Sequence, residues 1–287
     1  MDTIHFEKSK ELFRLIKEQN PNMSLDEVLE SVYKALGIKE SFEEARPFIL
    51  SANGINEYEF YTKRVDKSLK DYVENSVFPE YAKNDKAHGI IHIKEVIRRA
   101  FALNDTLKLG LDPNKIFAVT AFHDLGKYID HETHEKIAAQ KFMSDPKMPE
   151  FFGEEDRKEI MEAIEDHRSS FEDVPRSMYG KLASSADRNT RIEIVFIRSF
   201  FVGQSRTPDM NVEDFLDFTF KRLSKRYGEE NPENMFLEDN TYKTFLQDMR
   251  NLLQNETEFK KRYCLVNHIS SRESKLLDEK GELDYLK

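Results

Sequence analysis

The sequence predicts an all-α protein: a helical bundle with additional helices at both termini. Three observations lead there. Glycine and proline are sparse, 10 and 9 in 287 residues, so little interrupts the chain. Apolar residues recur at i, i+3 and i+4 rather than in alternation, which is the period of a helix with one buried face. Capping and stop residues stand where that period begins and ends.

The elements follow in order. Phe6 to about Gln19 keeps helical spacing until Asn20-Pro21 closes it. Ser24 with Glu27 three residues on forms a capping-box pattern, and Gly37 ends the second helix. A third is predicted over Ser41–Leu50, stopping near Asn53-Gly54. In the centre, one helix starts near His88 and turns Ile93, Val96, Ile97 and Ala100 inward. Asp112-Pro113 opens the next, with aspartate as cap and proline in the first turn, and its inner face reads Ile116, Val119, Thr120, His123. Another runs from about Thr133 to Phe142 and stops at Asp145-Pro146. A fourth spans about Glu154–His167, and a fifth runs from Ser177 to Asp187 and on into the apolar stretch Ile192–Phe201. Val212–Tyr227 and Asn240–Gln254 are amphipathic, and the charged tail from about 270 is expected to fray. The predicted division is an accessory helical region over 1–75, a central domain over 76–205, and C-terminal helices over 206–287 that pack on it.

Composition narrows the class. The chain is 39% hydrophobic and 34% charged, and no apolar run approaches the roughly 20 residues that span a bilayer, so no membrane role is expected. The N-terminus lacks a basic-then-apolar export signal, and the single Cys264 allows no internal disulfide; both fit a cytoplasmic protein. A formal charge of −10 argues against nucleic acid as partner, and the first three helices carry no basic recognition face. Nothing in the sequence sets an oligomeric state.

Chemistry concentrates in the centre. Six of eight histidines lie between His88 and His167, where even scatter would place about two. His92, His123, His167 and Asp187 each stand three or four residues from core positions, so polar groups point toward the interior. Asp124 and Asp187 then imply buried carboxylates, which are costly unless paired or metal-bound. Imidazole and carboxylate donors without thiolates suit manganese, iron, cobalt, nickel or zinc in an open site rather than a closed structural zinc centre.

With these residues in view, His92 in HIKEVI, the doublet His123-Asp124 in AVTAFHDLGK and the distant Asp187 in SSADR resemble the H…HD…D pattern of the HD superfamily, over roughly residues 85–200. The resemblance implies an all-α HD domain with His92, His123, Asp124 and Asp187 as ligands of a first divalent metal. It also implies hydrolysis of a phosphate ester, often of a nucleotide. His134 and His167 stand where two-metal members add ligands, so one or two ions are expected. His131 reads as a loop residue. Cyclic-dinucleotide phosphodiesterases of the superfamily pair two histidines and continue with Gly-Tyr-Pro; here His167 is followed by Arg168 and that signature is missing. The doublet continues Leu125-Gly126-Lys127 rather than with the acidic pair of alarmone hydrolases.

Roles follow on that basis. Asp124 would ligate the metal and orient water, and Lys127, three residues on, would neutralise phosphate. His88, Arg168 and Arg188 are the further candidates for substrate contact. The competing reading is a non-catalytic metal or nucleotide sensor.

Overall fold

The computed structural model describes residues 3–39, 42–168, 173–230 and 235–269. Of these described residues 72% are helical, and among them there is no strand. Ser41 and the tail from 270 lie outside the described residues.

The N-terminal helices are α1 (Thr3–Gln19), α2 (Leu25–Leu36) and α3 (Phe42–Ala52). The capping box at α2 forms in both directions, and Gly37 closes the helix with φ +65°, a conformation glycine adopts without strain. The sequence marks no element in the stretch from the end of α3 to residue 88. This stretch folds as two six-residue helices, α4 (Glu57–Thr62) and α5 (Lys67–Tyr72), then a π turn over Val73–Val77 and 3₁₀ turns over Phe78–Lys83 and Lys86–His88. Segments this short contain too few turns for a period to show.

The centre contains α6 (Ile90–Thr106), α7 (Pro113–Phe122), α8 (His134–Ser144), the short α9 (Met148–Phe151), α10 (Glu154–Glu165) and α11 (Met178–Ala186). Asp112 caps α7 by accepting from the amides of Asn114 and Lys115, and Ser177 caps α11 through the amide of Gly180. α6 packs between α7 and α11, and α8 packs on α10. The fifth helix does not run on as predicted. It ends at Ala186, and α12 (Ile192–Arg206) starts anew after a break. The C-terminal part is α13 (Val212–Tyr227), α14 (Asn240–Leu253) and α15 (Glu256–Asn267), the last not foreseen.

Two apolar cores result. One runs from Val28 and Leu29 through Tyr61, Ile97, Phe117 and Phe142 to Ala186, so the N-terminal helices share it with the centre. The other joins α12 to the C-terminal helices through Phe196, Phe215, Phe245, Phe259 and Tyr263. Arg99 ties the two together: it donates to the carbonyls of Ser185 and Ala186 and, at 2.8 Å, to Asp239, the cap of α14. This buried guanidinium therefore holds the end of α11 against the C-terminal helices.

Candidate metal centre

The chemistry-bearing side chains sit at helix ends. His92 lies in the first turn of α6, after Asp85 has capped the preceding 3₁₀ turn. His123 and Asp124 follow the last residue of α7, in a run of tight turns where Leu125 N–H bonds the Phe122 carbonyl and Lys127 N–H that of Asp124. His134 is the first residue of α8, His167 lies two residues past α10, and Asp187 caps the C-terminus of α11. Helix termini bring these groups together because the chain there leaves the helical axis and can turn its side chains into the space between helices.

Two local features hold the turn in place. The Asn84 amide donates to the carbonyls of His88 and Asp124, joining the entry of α6 to the His-Asp turn. Gly126 lies against α8 so closely that a Cβ there would be 2.6 Å from the His134 carbonyl oxygen and 2.7 Å from Ile137 Cβ. Only glycine lets α8 bring His134 this near to Asp124.

The geometry converges on Asp124. Its Oδ2 is 3.6 Å from both His92 Nε2 and His123 Nε2; its Oδ1 is 3.2 Å from His134 Nε2 and 3.5 Å from His167 Nε2. Asp187 Oδ1 stands 3.0 Å from His92 Nε2 and 3.8 Å from His123 Nε2. Ligand atoms of His92, His123 and Asp187 lie within 4.8 Å of one another, and so do those of His123, Asp124 and His167.

Three of the histidines are held alike. Nδ1 of His123, His134 and His167 lies 2.7, 2.9 and 2.6 Å from the carbonyl oxygen three residues earlier. A carbonyl accepts only, so each Nδ1 carries the hydrogen and each Nε2 faces the centre with a lone pair. The Nε2 atoms of His134 and His167 then oppose each other at 3.3 Å, an arrangement that asks for a cation between them. His92 Nε2 and His123 Nε2 are buried with no hydrogen-bond partner among the described residues, close as the carboxylates are. Bare imidazole nitrogens and two carboxylates fit a divalent transition metal, and carbonyl-anchored imidazoles are the usual support for such ligands.

Electrostatics agree with that fit. Burial pushes His123 down to about 3, so it is neutral and ready to ligate. Burial alone would raise Asp124, but the Lys127 ammonium and then the histidines around it hold it well below the ordinary carboxylate range. Lys127 Nζ donates to both Asp124 oxygens at 3.0 and 3.1 Å, a positive charge set on the carboxylate that the resemblance makes a metal ligand. Asp187 is likewise held low: burial opposes its charge, and contact with His92 prevails.

Other predicted residues are placed as follows. His88 is buried; it donates from Nδ1 to Asp85 at 2.9 Å, and its ring stands 5.9 Å from that of His92. Burial lowers its basicity despite Asp85, aided by Lys127 and Arg198. His131 is in the loop before α8 and supplies the carbonyl that anchors His134. Arg168 turns to the Glu132 carbonyl and to Glu135 at the start of α8. Arg188 lies over the Tyr242 ring at 5.1 Å, on the side of the C-terminal helices. Among the described residues Arg168 meets the start of α8 rather than the His/Asp cluster, and the partner of buried Asp166 is Arg176. The sequence missed Arg198 of α12, whose Nη1 lies 3.4 Å from His92 Nδ1 and 3.1 Å from Asn189 Oδ1. Its one signal was a lone cation interrupting the apolar run VFIRSFF.

Residues 89–192 match the family model of the HD domain. The match supports an HD domain in this stretch, a domain type that binds divalent metals and occurs in metal-dependent phosphohydrolases. No curated protein and no solved structure matches the chain. No helix among the described residues is long and apolar enough to cross a membrane.

Proposed function

We propose that the chain is a phosphohydrolase that cleaves a phosphate ester of a small molecule, a nucleotide or a related compound, with one or two divalent transition-metal ions. The observation that carries this is the set of carbonyl-anchored imidazoles presenting bare Nε2 atoms around the two oxygens of a single buried aspartate. His92, His123, Asp124 and Asp187 would hold the first ion, and Asp124, His134 and His167 a second. A bound cation would supply Lewis acidity toward a phosphoryl oxygen and acidify water for attack.

The chain's own groups do the rest. Asp124 presents an oxygen to each half of the site and can orient a water between them. Lys127 keeps its ammonium at the edge of the cluster, where it can offset charge on a transferring phosphoryl group. His88, with Nδ1–H directed at an ionised Asp85, has Nε2 available to hold a proton on the rim. The low exposure of Asp124, His123 and His167, 0–1% of each side chain, keeps bulk water from the centre.

The test is to strip the protein of metal, reload it with Mn²⁺, Fe²⁺, Co²⁺, Ni²⁺ or Zn²⁺, and screen phosphomonoesters, phosphodiesters and nucleotides. Metal-dependent turnover is expected, lost in Asp124→Ala while the helical circular-dichroism signal persists. Bound metal with no turnover of any ester would overturn the assignment; tight nucleotide binding in that case would identify a sensor instead.

A further inference from the structure

The site is not equally closed on all sides. The Asp124 side chain is 0% exposed and those of His123 and His167 are 1%, while His88, His92 and Lys127 reach 10% and Asp187 20%. The opening therefore lies beside Asp187, His92 and His88. Arg198 and Asn189 meet on that side, Asn189 following Asp187 by two residues and Arg198 arriving from α12, which packs against the turn that carries His88.

Arg198 differs from the arginines of the surrounding scaffold. Arg98, Arg99 and Arg176 reach carboxylates at 2.6–2.8 Å. Among the described residues no carboxylate lies within 4.0 Å of Arg198; its contacts are an amide oxygen and an imidazole nitrogen, both through Nη1. A half-buried guanidinium with five donors and no anion is poorly satisfied by that pair. It is also a poor device for orienting His92. Arginine only donates, so at Nδ1 it would place the ring hydrogen on Nε2, the reverse of the state held in His123, His134 and His167. At 3.4 Å the contact is also long. The cation has another use.

We propose that Arg198, with Asn189 beside it, is an anion subsite on the open side of the centre, and that the substrate carries a second negatively charged group next to the phosphate held at the metals, as a diphosphate does. The inference rests on the phosphohydrolase reading for where the first phosphate sits. Lys127 at Asp124 and Arg198 at His92 both lower the basicity of His88, so this side of the site carries two cations on a chain of net charge −10. Positive charge there concentrates anions where the rest of the surface repels them.

The test is calorimetric binding of methylphosphonate and methylenediphosphonate, which are not hydrolysed, to the full Mn²⁺-loaded chain, with metal content measured before and after. The wild-type chain is expected to prefer the diphosphonate by about tenfold or more, the scale of one charge-assisted contact. Arg198→Gln should lose that preference. Arg262→Gln, the same charge change at an arginine of α15 already paired with a carboxylate, Glu193, should keep it. Retention of the preference in Arg198→Gln, equal loss in Arg262→Gln, or loss of metal from Arg198→Gln would each overturn the proposal. Because binding rather than turnover is read, a wild-type chain that hydrolyses nothing would overturn the phosphohydrolase reading and leave this result standing. Turnover without a diphosphonate preference would overturn the subsite alone.

Discussion

Lys127→Met separates the two jobs that the site gives to positive charge. Without metal, the wholly buried Asp124 carboxylate relies on Lys127, at 3.0 and 3.1 Å, for its one full counter-charge; the surrounding imidazoles contribute only dipoles when neutral. Removing one partner of a buried ion pair costs about 3–5 kcal/mol because the other charge remains uncompensated. The polar ring around Asp124 puts the expected loss near the lower end, about 3 kcal/mol, or a melting point lower by roughly 6–12 °C for a unit of this size. Adding metal should reverse this, since a divalent ion at Asp124 supplies the missing charge. Unfolding of wild type and Lys127→Met is followed by circular dichroism, once with chelator and once with saturating Mn²⁺. The gap should be wide with chelator and shrink to about 1 kcal/mol or less with metal, the range of an exposed charge. Equal stability of the two chains with chelator would show that Lys127 is not the counter-charge. A gap unchanged by Mn²⁺ would show that no cation binds at Asp124.

Two further outcomes follow from the same geometry. His167→Ala removes a donor from the half of the site that faces Asp124 Oδ1, so metal per chain, read by elemental mass spectrometry, should fall from two equivalents to one; a wild-type chain that holds one equivalent refutes the two-metal arrangement. Metal-free stability should fall as pH drops, because burial holds His123 at about 3 against an ordinary value near 6.5, so the unfolded chain takes up a proton that the folded chain refuses. The contribution is complete above about pH 6.5 and is lost toward pH 3, at no more than about 1.4 kcal/mol per pH unit. Urea titrations with chelator at pH 7.5, 6 and 5 should show the decline, and His123→Asn should flatten it.

Two of the central helices were legible from their own start signals: Asp112-Pro113 for α7 and Ser177 for α11 are caps whose side chains do accept the expected amides. His92, His123, His167 and Asp187 were legible because polar residues broke apolar stripes at helical spacing; His134 and the ligand role of Asp124 came only with the resemblance to the HD pattern. Other parts left no such trace. The turns between Glu57 and His88 are too short to show a period. α15, with the sequence ETEFKKRYCLVN, buries only Phe259, Tyr263 and Cys264 under a heavily charged surface, so its apolar stripe is thin. The break between α11 and α12 was hidden because apolar residues lie on both sides of it, and the end of α11 is set by a distant partner, Arg99, which takes the carbonyls of Ser185 and Ala186.

The arginines show why adjacency to a ligand is a poor guide to contact with a substrate. Arg168 and Arg188 each follow a site residue directly, and one step along a helical turn rotates a side chain by about 100°. The residues that follow His167 and Asp187 turn elsewhere. Arg168 turns to the start of α8, and Arg188 goes over Tyr242. Arg198 is eleven positions beyond Asp187, on a separate helix that runs back across the entry of α6, and it is this arginine that reaches His92. Whether a cation serves the site is decided by which helix crosses its opening, and that is a property of the packing between α12 and the His88 turn rather than of the motif.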